Sequence, residues 1–442
     1  MTSKNKWNER WRLAVVASLM LFTLMIPLSL FMVSLSAILL LITLIGKKAT
    51  DKPRVIVVPP FSWTILAFLL VAALSLLFSP YPTPVETWLG LKKLRYFGYY
   101  FLFFYGLYET RELKLPIITF IIGCAFSSIL AWSQYWFGQI SFVTLFNHDL
   151  MQSPYMEKMR AIGFMSHHRR FSMTIGLAIP LVCSLAIHLK YGWRYKLLSF
   201  FLIVLFSGAM LWTHGKGVII AIVVSSLIVS WIRSWKLGLL TIGILSLTAF
   251  LLIITIPKDV SWLSPKFFTA SSEILNESLG ESLSESPAKA KSSNDIRVIL
   301  WKTSLSSFIQ NPIFGIGWGQ FKHEREKIDL SIKGADKYPH SHPHSELLWV
   351  GVELGIVGLA IFMFFWSSLI LRLFNAYRRI DGLNRDAKVL LYIGIWCSLF
   401  WLISGLTDVA LLNSENAAAL WFVLALSTYA LFMKKRAREV RI

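Results

Sequence analysis

The stretch YPHSHPHSELLWVGVELG, residues 338 to 355, gathers side chains that could do chemistry. His340, His342 and His344 alternate, so an extended chain would aim all three the same way, as a metal site does. Pro343 suits the first turn of a helix, where its missing N–H is no loss, so the extended run is expected to end at His342. A helix beginning near Pro343 puts His344 in its first turn. There the positive end of the macrodipole favours the neutral imidazole that a general base requires, although a histidine merely capping the helix fits the same spacing.

Glu346 and Glu353, two turns apart, share a face with Trp349 and Val350. Glu353 would lie ~14 Å down the helix at 1.5 Å per residue. A carboxylate at that depth needs a cation or a watery cavity, so structural pairing and a direct catalytic role stand level. Gly351, Gly355 and Gly358 form a stripe against which another helix can pack closely. Isolated cations recur at helix mouths: Arg95, Arg160, Arg169, Arg170, Lys216 and Arg297. Lys216 stands in WTHGKG, where two glycines allow close backbone approach. Each cation alone reads as a snorkelling side chain, but guanidinium forks and ammonium groups are also what a diphosphate requires. Their convergence with His344 on one side favours the second use.

The elements that must position these groups are membrane helices. Of 442 residues 55% are hydrophobic and only 15% charged, and apolar runs recur at the length of a bilayer crossing. At ~20 residues per span they give about twelve helices, near 13–30, 31–46, 61–78, 91–108, 116–137, 171–189, 195–212, 216–232, 238–256, 344–371, 388–407 and 416–433. The first two could also be one bent helix. The leading run is too long for a cleavable signal and no small-residue cleavage site follows it, so the N-terminus is expected to be retained.

Lys and Arg concentrate in alternate loops, around 4–12, 47–54, 111–114, 190–196, 233–236, 372–388 and 434–441, and are sparser in the opposite set. That asymmetry places both termini in the cytoplasm. The chain thus divides into spans one to nine (1–256), a large external loop (257–343) and spans ten to twelve with a basic tail (344–442). The net charge of +20 reflects topology rather than nucleic-acid binding. The 3 cysteines, Cys124, Cys183 and Cys397, lie in apolar runs and read as packing residues.

Within the external loop, residues 271 to 295 repeat glutamate every four positions, which would stack like charges on a helix, so a mobile strip is expected. DIRVILWKTSLSSFIQNP follows with helical spacing of Ile296, Ile299, Leu300 and Phe308, and Asn311-Pro312 as its stop. GIGWG (315–319) reads as a turn, since no strand precedes it. No paired aspartate motif for a divalent ion appears in the outer loops, which argues against metal-dependent sugar transfer.

NDIRVILWKTSLSSFIQNPIFGIGWGQF and HSHPHSELLWVGVELGIVGL, set after about nine spans, resemble the O-antigen ligase and polymerase superfamily of bacterial envelope glycosyltransferases. The shared pattern is Arg, a few residues to Trp or Tyr, N-P-x-x-G-x-G, then H-x-H-(N/S)-E and E-x-G-x-x-G. RAIGFMSHHRRFSM (160–173) and GLTDVALLNSENA (405–417) resemble two further outer segments of that family. The resemblance implies an all-α, GT-C-like polytopic fold with a periplasmic loop folded over an outward cavity in the bacterial inner membrane. It places Arg297 and His344 at the family's essential positions and Trp301 at its aromatic position, and matches Arg160 to an outer-loop Arg. Lys216 falls where the family usually has Arg, which keeps the charge and loses the fork. Ser345 replaces a common Asn.

The implied activity is an inverting, metal- and ATP-independent O-antigen ligase. It would move a polysaccharide from undecaprenyl diphosphate to a sugar hydroxyl of lipid A-core oligosaccharide, with membrane lipid around it and no cofactor or nucleic acid. His344 would be the base, oriented by Glu346 or Glu353. Arg297, Lys216 and Arg160, with His342, Arg95, Arg169 and Trp301 nearby, would hold the donor. An O-antigen polymerase and a protein O-oligosaccharyltransferase share the pattern, and a transporter of an anionic solute would use the cations without catalysis.

Overall fold

The computed structural model describes residues 3–50, 57–81, 84–137, 160–188, 192–243, 293–324, 342–379 and 385–439. Among them every regular element is helical. The helices are α1 Ser3–Met25, α2 Leu30–Thr50, α3 Ser62–Ser75, α4 Pro84–Leu94, α5 Gly98–Thr110, α6 Lys114–Phe137 and α7 His168–His188. They continue with α8 Trp193–Trp212, α9 Lys216–Arg233, α10 Ser293–Gln310, α11 Glu346–Arg378, α12 Arg385–Gly405 and α13 Ser414–Glu439. Eight of them (α2, α6 to α9 and α11 to α13) are long and apolar enough to cross a membrane. This is a multi-pass membrane architecture.

The 13–46 region forms two helices. Pro27 interrupts the ladder, and the chain turns through Leu28 N–H to the Met25 carbonyl at 3.0 Å. The helices return antiparallel, with Trp11 packed on Gly46 and Lys47 bonded to Asn8. The single span expected at 91–108 is instead broken, with α4 ending at Leu94, a 3-10 turn over Arg95–Phe97 and α5 starting at Gly98. The expected 238–256 span is described only to residue 243, and the strip 271–292 and His340 lie outside the described residues.

Helices α7, α12 and α13 make the centre, with 72%, 72% and 83% of their apolar windows buried, against 17% for the peripheral α8. The run Ala417, Ala418, Ala419 on α13 is fully buried, and such small side chains let neighbouring backbones approach. Cys124 and Cys397 are buried and all three cysteines are free thiols, as their apolar setting implied.

Helix α11 departs from the sequence expectation. Gly355 has φ 64 and ψ −164, so the helix breaks there instead of offering a continuous glycine stripe. A break within hydrocarbon leaves backbone groups needing partners. The Asn311–Gly317 turn after α10 supplies them. Ile316 N–H and Gly317 N–H donate to the carbonyls of Val352 (2.9 Å) and Glu353 (3.0 Å), while Ile356 N–H donates to the Pro312 carbonyl at 2.8 Å and Val357 N–H to that of Ile313 at 3.4 Å. The approach admits no side chain: a Cβ on Gly355 would sit 2.2 Å from the Ile313 oxygen, and one on Gly315 would sit 2.4 Å from that of Val352.

Just ahead of the break, Glu353 accepts the Gly319 N–H (2.8 Å) and the Phe321 N–H (3.3 Å). Trp318 donates its indole N–H to Gly90 at 2.9 Å, and Ser79 donates to the Ile316 carbonyl at 2.6 Å. The turn thereby fastens α10 to α3, α4 and α11 at once.

Gly355→Ala and Gly315→Ala should each lower the thermal unfolding midpoint of the detergent-solubilised protein, by at least the ~1–3 kcal/mol that a strained backbone position costs. Gly351→Ala, whose added Cβ would meet Phe308 at an ordinary 3.7 Å, should leave the midpoint nearly unchanged. Equal midpoints for all three variants would contradict the plugged-break assignment.

Candidate active site

The histidine singled out in the sequence stands just ahead of α11. The helix begins at Glu346 with Ser345 as its N-cap. His344 therefore precedes the helix instead of lying in its first turn, and Pro343 is not its first residue. His344 has φ 55, a left-handed conformation costing roughly 1–2 kcal/mol for a residue with a Cβ. The turn is held there from α10, where Trp301 donates its indole N–H to the Pro343 carbonyl at 3.0 Å. His342 accepts the His344 backbone N–H at 3.3 Å, and the two rings lie 4.6 Å apart.

Arg169 and Asp408 meet at the His344 ring. Its Nδ1 lies 2.8 Å from an Arg169 guanidinium nitrogen, in the first turn of α7, and 3.4 Å from the carboxylate of Asp408. Arg169 and Asp408 pair at 3.5 Å. Asp408 belongs to the loop between α12 and α13, and Glu346 fixes that loop. One Glu346 oxygen accepts the N–H groups of Ala410 (3.1 Å) and Leu411 (3.0 Å), and the other accepts the Trp401 indole N–H at 2.9 Å.

Glu346 and Glu353 thus spend their hydrogen bonds on backbone and indole donors, and the carboxylate beside the His344 ring is that of Asp408. Sequence reasoning marked its segment, GLTDVALLNSENA, without giving the aspartate a role. The available signal was an acidic residue in a short connection between two apolar runs.

Arg297, on α10, is half-buried, and its Nε has no hydrogen-bond partner among the described residues. The charges that reach it are Arg169, Asp408 and Arg160. Arg160 stands 3.3 Å from the His168 ring. Lys216 begins α9 beside the same loop: Gly217 is packed so tightly on Thr407 that a Cβ would lie 2.1 Å from its hydroxyl. That is the close approach the WTHGKG glycines implied.

Two cations have other partners. Arg170 pairs with Glu415 at 3.6 Å, and Arg95 is exposed over the ring of its neighbour Tyr96. Lys93, not singled out in the sequence, reaches His342 instead.

Burial lowers the His344 pKa below the ordinary imidazole range, with Arg169 adding to the effect and the Asp408 hydrogen bond opposing it. Burial first, then neighbouring charge, pushes His342 down to about 3 and His167 to about 4. Burial alone would raise Asp408, but Arg169 and His344 outweigh it and hold the carboxyl below its usual range. The site at neutral pH therefore contains neutral imidazoles, one ionised carboxylate and several guanidiniums.

His342, His344 and Asp408 each place a possible ligand atom within 4.8 Å of the others. The Arg169 guanidinium bonds directly to two of the three, so a fixed positive charge already occupies the position where this donor set would hold an ion. The Arg169, Arg297 and Arg160 cluster is instead suited to a polyanion such as a diphosphate. Beside it, the His344 ring lies between Arg169 and Asp408, where a neutral imidazole can take a proton from a hydroxyl.

Residues 201–363 match the model of the O-antigen ligase family. A curated protein of Rickettsia typhi (strain ATCC VR-144 / Wilmington), named "Putative polysaccharide ligase", is 35% identical over 86 residues. That match covers 18% of this chain and 21% of the Rickettsia protein, so the chain spans about a fifth of its relative's length. The motifs quoted from α10 and the start of α11 fall inside the family match.

Glu346→Ala would leave three buried donors unpaired, each costing about 1–3 kcal/mol. The unfolding midpoint should fall well below that of Glu346→Gln, which keeps one acceptor oxygen. If the two variants melt together, the carboxylate is not what holds the Asp408 loop.

Proposed function

We propose that this chain, with its O-antigen ligase domain, transfers a polysaccharide from undecaprenyl diphosphate to a sugar hydroxyl of lipid A-core oligosaccharide. The observation that carries the reading is the convergence of Arg169, Arg297 and Arg160 with the His344–Asp408 pair at one end of the helix bundle. We place that end on the periplasmic side of the inner membrane, with about twelve spans and both termini in the cytoplasm, following the Lys/Arg asymmetry of the loops.

In the reaction the acceptor hydroxyl oxygen attacks the anomeric carbon. The bond from that carbon to the diphosphate breaks, and its electron pair goes to the departing phosphate oxygen. Arg297 and Arg160 hold the diphosphate, with Lys216 at its edge, and the charge that grows there is stabilised by donors already in place. His344 Nε2 takes the proton of the hydroxyl. Attack from the face opposite the diphosphate inverts the anomeric centre.

Arg169 couples the two halves. With the donor absent, its guanidinium competes with Asp408 for His344 Nδ1. A diphosphate draws the guanidinium away, Nδ1–H then bonds to Asp408, and Nε2 becomes the basic nitrogen. The bond energy stored in the glycosyl diphosphate drives transfer, so the reaction needs no ATP.

His344→Ala should abolish transfer, a loss of at least the ~10²–10⁴-fold that a general base contributes, with the protein still in the membrane. Normal transfer by that variant would falsify the base assignment. Arg297→Lys should lose more activity than Lys216→Arg. Because the His344 pKa is lowered, the imidazole stays unprotonated as pH falls, and the acid limb of the rate profile should lie below the ordinary ~6.5 of histidine. Asp408→Asn removes the group that raises it, so the limb should move lower still while the plateau rate drops about a hundredfold or more. An unmoved limb would show that Asp408 does not act on His344.

The activity itself is tested by glycolipid analysis of a deletion strain. Long chains accumulating on undecaprenyl diphosphate over a bare core identify a ligase. Cores carrying single repeat units point to a polymerase, and two unchanged pools overturn the envelope-glycan reading.

A further inference from the structure

At the end of the bundle opposite His344, four helices meet around a second cationic cluster. His188 closes α7, Arg233 closes α9, Tyr377 lies in the last turn of α11, and Lys388 and Tyr392 lie in the first turns of α12. His188 Nδ1 is 3.1 Å from the Ser184 carbonyl, to which it donates, so Nε2 is the acceptor for the Arg233 guanidinium. Tyr377 lies within electrostatic reach of the same guanidinium. The rings form one floor, with His188 4.7 Å from Tyr392 and Tyr377 5.5 Å from Tyr392. The Lys388 ammonium stands 5.2 Å above the Tyr377 ring.

This cluster lacks a counter-anion among the described residues. The charges reaching His188 are Arg233 and Lys388, and Arg233 alone reaches both Tyr377 and Tyr392. Asp386 is exposed and pairs with neither cation. A guanidinium snorkelling to headgroups points outward on a flexible stem. Arg233 instead turns onto a neutral imidazole of another helix. Charges at the end of a membrane bundle are ordinarily paired or aimed at an anion.

We propose that Arg233 and Lys388, on the floor made by His188, Tyr377 and Tyr392, bind the phosphate of an anionic phospholipid headgroup. The shared chemistry is a phosphate held by a guanidinium fork and an ammonium, as in basic pockets between membrane helices. The headgroup is preferred to free phosphate because the cluster sits where bilayer-crossing helices end. Its consequence is mechanical. The same four helices carry Arg169, Lys216, His344 and the Asp408 loop at their other ends, so a bound headgroup braces the frame of the active site.

The test uses the full-length protein in a mild neutral detergent, titrated with phosphatidylglycerol, phosphatidylcholine or inorganic phosphate while the unfolding midpoint is followed. Phosphatidylglycerol should raise the midpoint and phosphatidylcholine should not. Arg233→Gln and Lys388→Gln should each weaken the phosphatidylglycerol response by about fivefold in concentration. Lys388→Gln removes a group that stands over a ring face and makes no ion pair among the described residues, so it tests the site even where Arg233→Gln fails to fold. Equal responses to the two lipids, or an undiminished response in Lys388→Gln, would overturn the proposal. A full response to inorganic phosphate alone would overturn the headgroup assignment. Because the readout is lipid binding, it stands or falls separately from glycan transfer.

Discussion

The arrangement rests on an exchange of backbone hydrogen bonds. Helix α11 is broken at Gly355, and the Asn311–Gly317 turn inserts to satisfy groups on both sides of the break. In a medium without water these bonds have no substitute, so the turn cannot drift from the helix without exposing donors and acceptors together. Arg297 lies on the helix that ends in this turn and His344 lies just before the broken helix. The break therefore fixes the distance between the group that would hold a diphosphate and the group that would accept a proton. Trp301 repeats the link one layer out, through the Pro343 carbonyl.

On that frame the buried carboxylates divide the labour by what they bond. Glu353 and Glu346 each collect donors from a loop and so behave as structural clamps. Asp408 bonds the Val409 N–H of its own turn at 3.0 Å and otherwise faces Arg169 and His344. It stays charged despite burial because Arg169 is adjacent. Arg169 is consequently neutralised in part, while Arg297 lies within electrostatic reach of both Arg169 and Arg160. A ligand carrying two phosphates would offset that concentration of positive charge, a driving force that a neutral sugar lacks.

Much of this was legible in the residues. Hydropathy located the helices, Pro27 and Asn311-Pro312 marked where chains turn or stop, and the cations at helix mouths included those that do converge. The misreadings share a cause. Pro343, Gly355 and the glutamates were assigned roles from a continuous helix geometry, and the helix is neither continuous nor started where proline would allow. A backbone break satisfied by a turn forty residues earlier leaves no periodic trace. The partners of a buried carboxylate likewise depend on which loop lies opposite, which spacing within one helix does not encode. Asp408 escaped notice because a single aspartate between two spans looks like any loop residue until the fold brings Arg169 and His344 against it.

The two ends of the bundle are electrostatically alike in one respect. At the His344 end, guanidiniums outnumber the carboxylate among them, and at the other end Arg233 and Lys388 face no carboxylate among the described residues. A net charge of +20 does not by itself explain cations turned onto rings of neighbouring helices. Like charges gathered in one cluster repel, and an anion between them offsets that repulsion. Rigid helices α7, α9, α11 and α12 join the two clusters, so tightening one set of helix ends limits how far the other can splay. Occupancy of the far end by a headgroup phosphate would then be felt at His344 through the helices themselves, without any change in the residues around it.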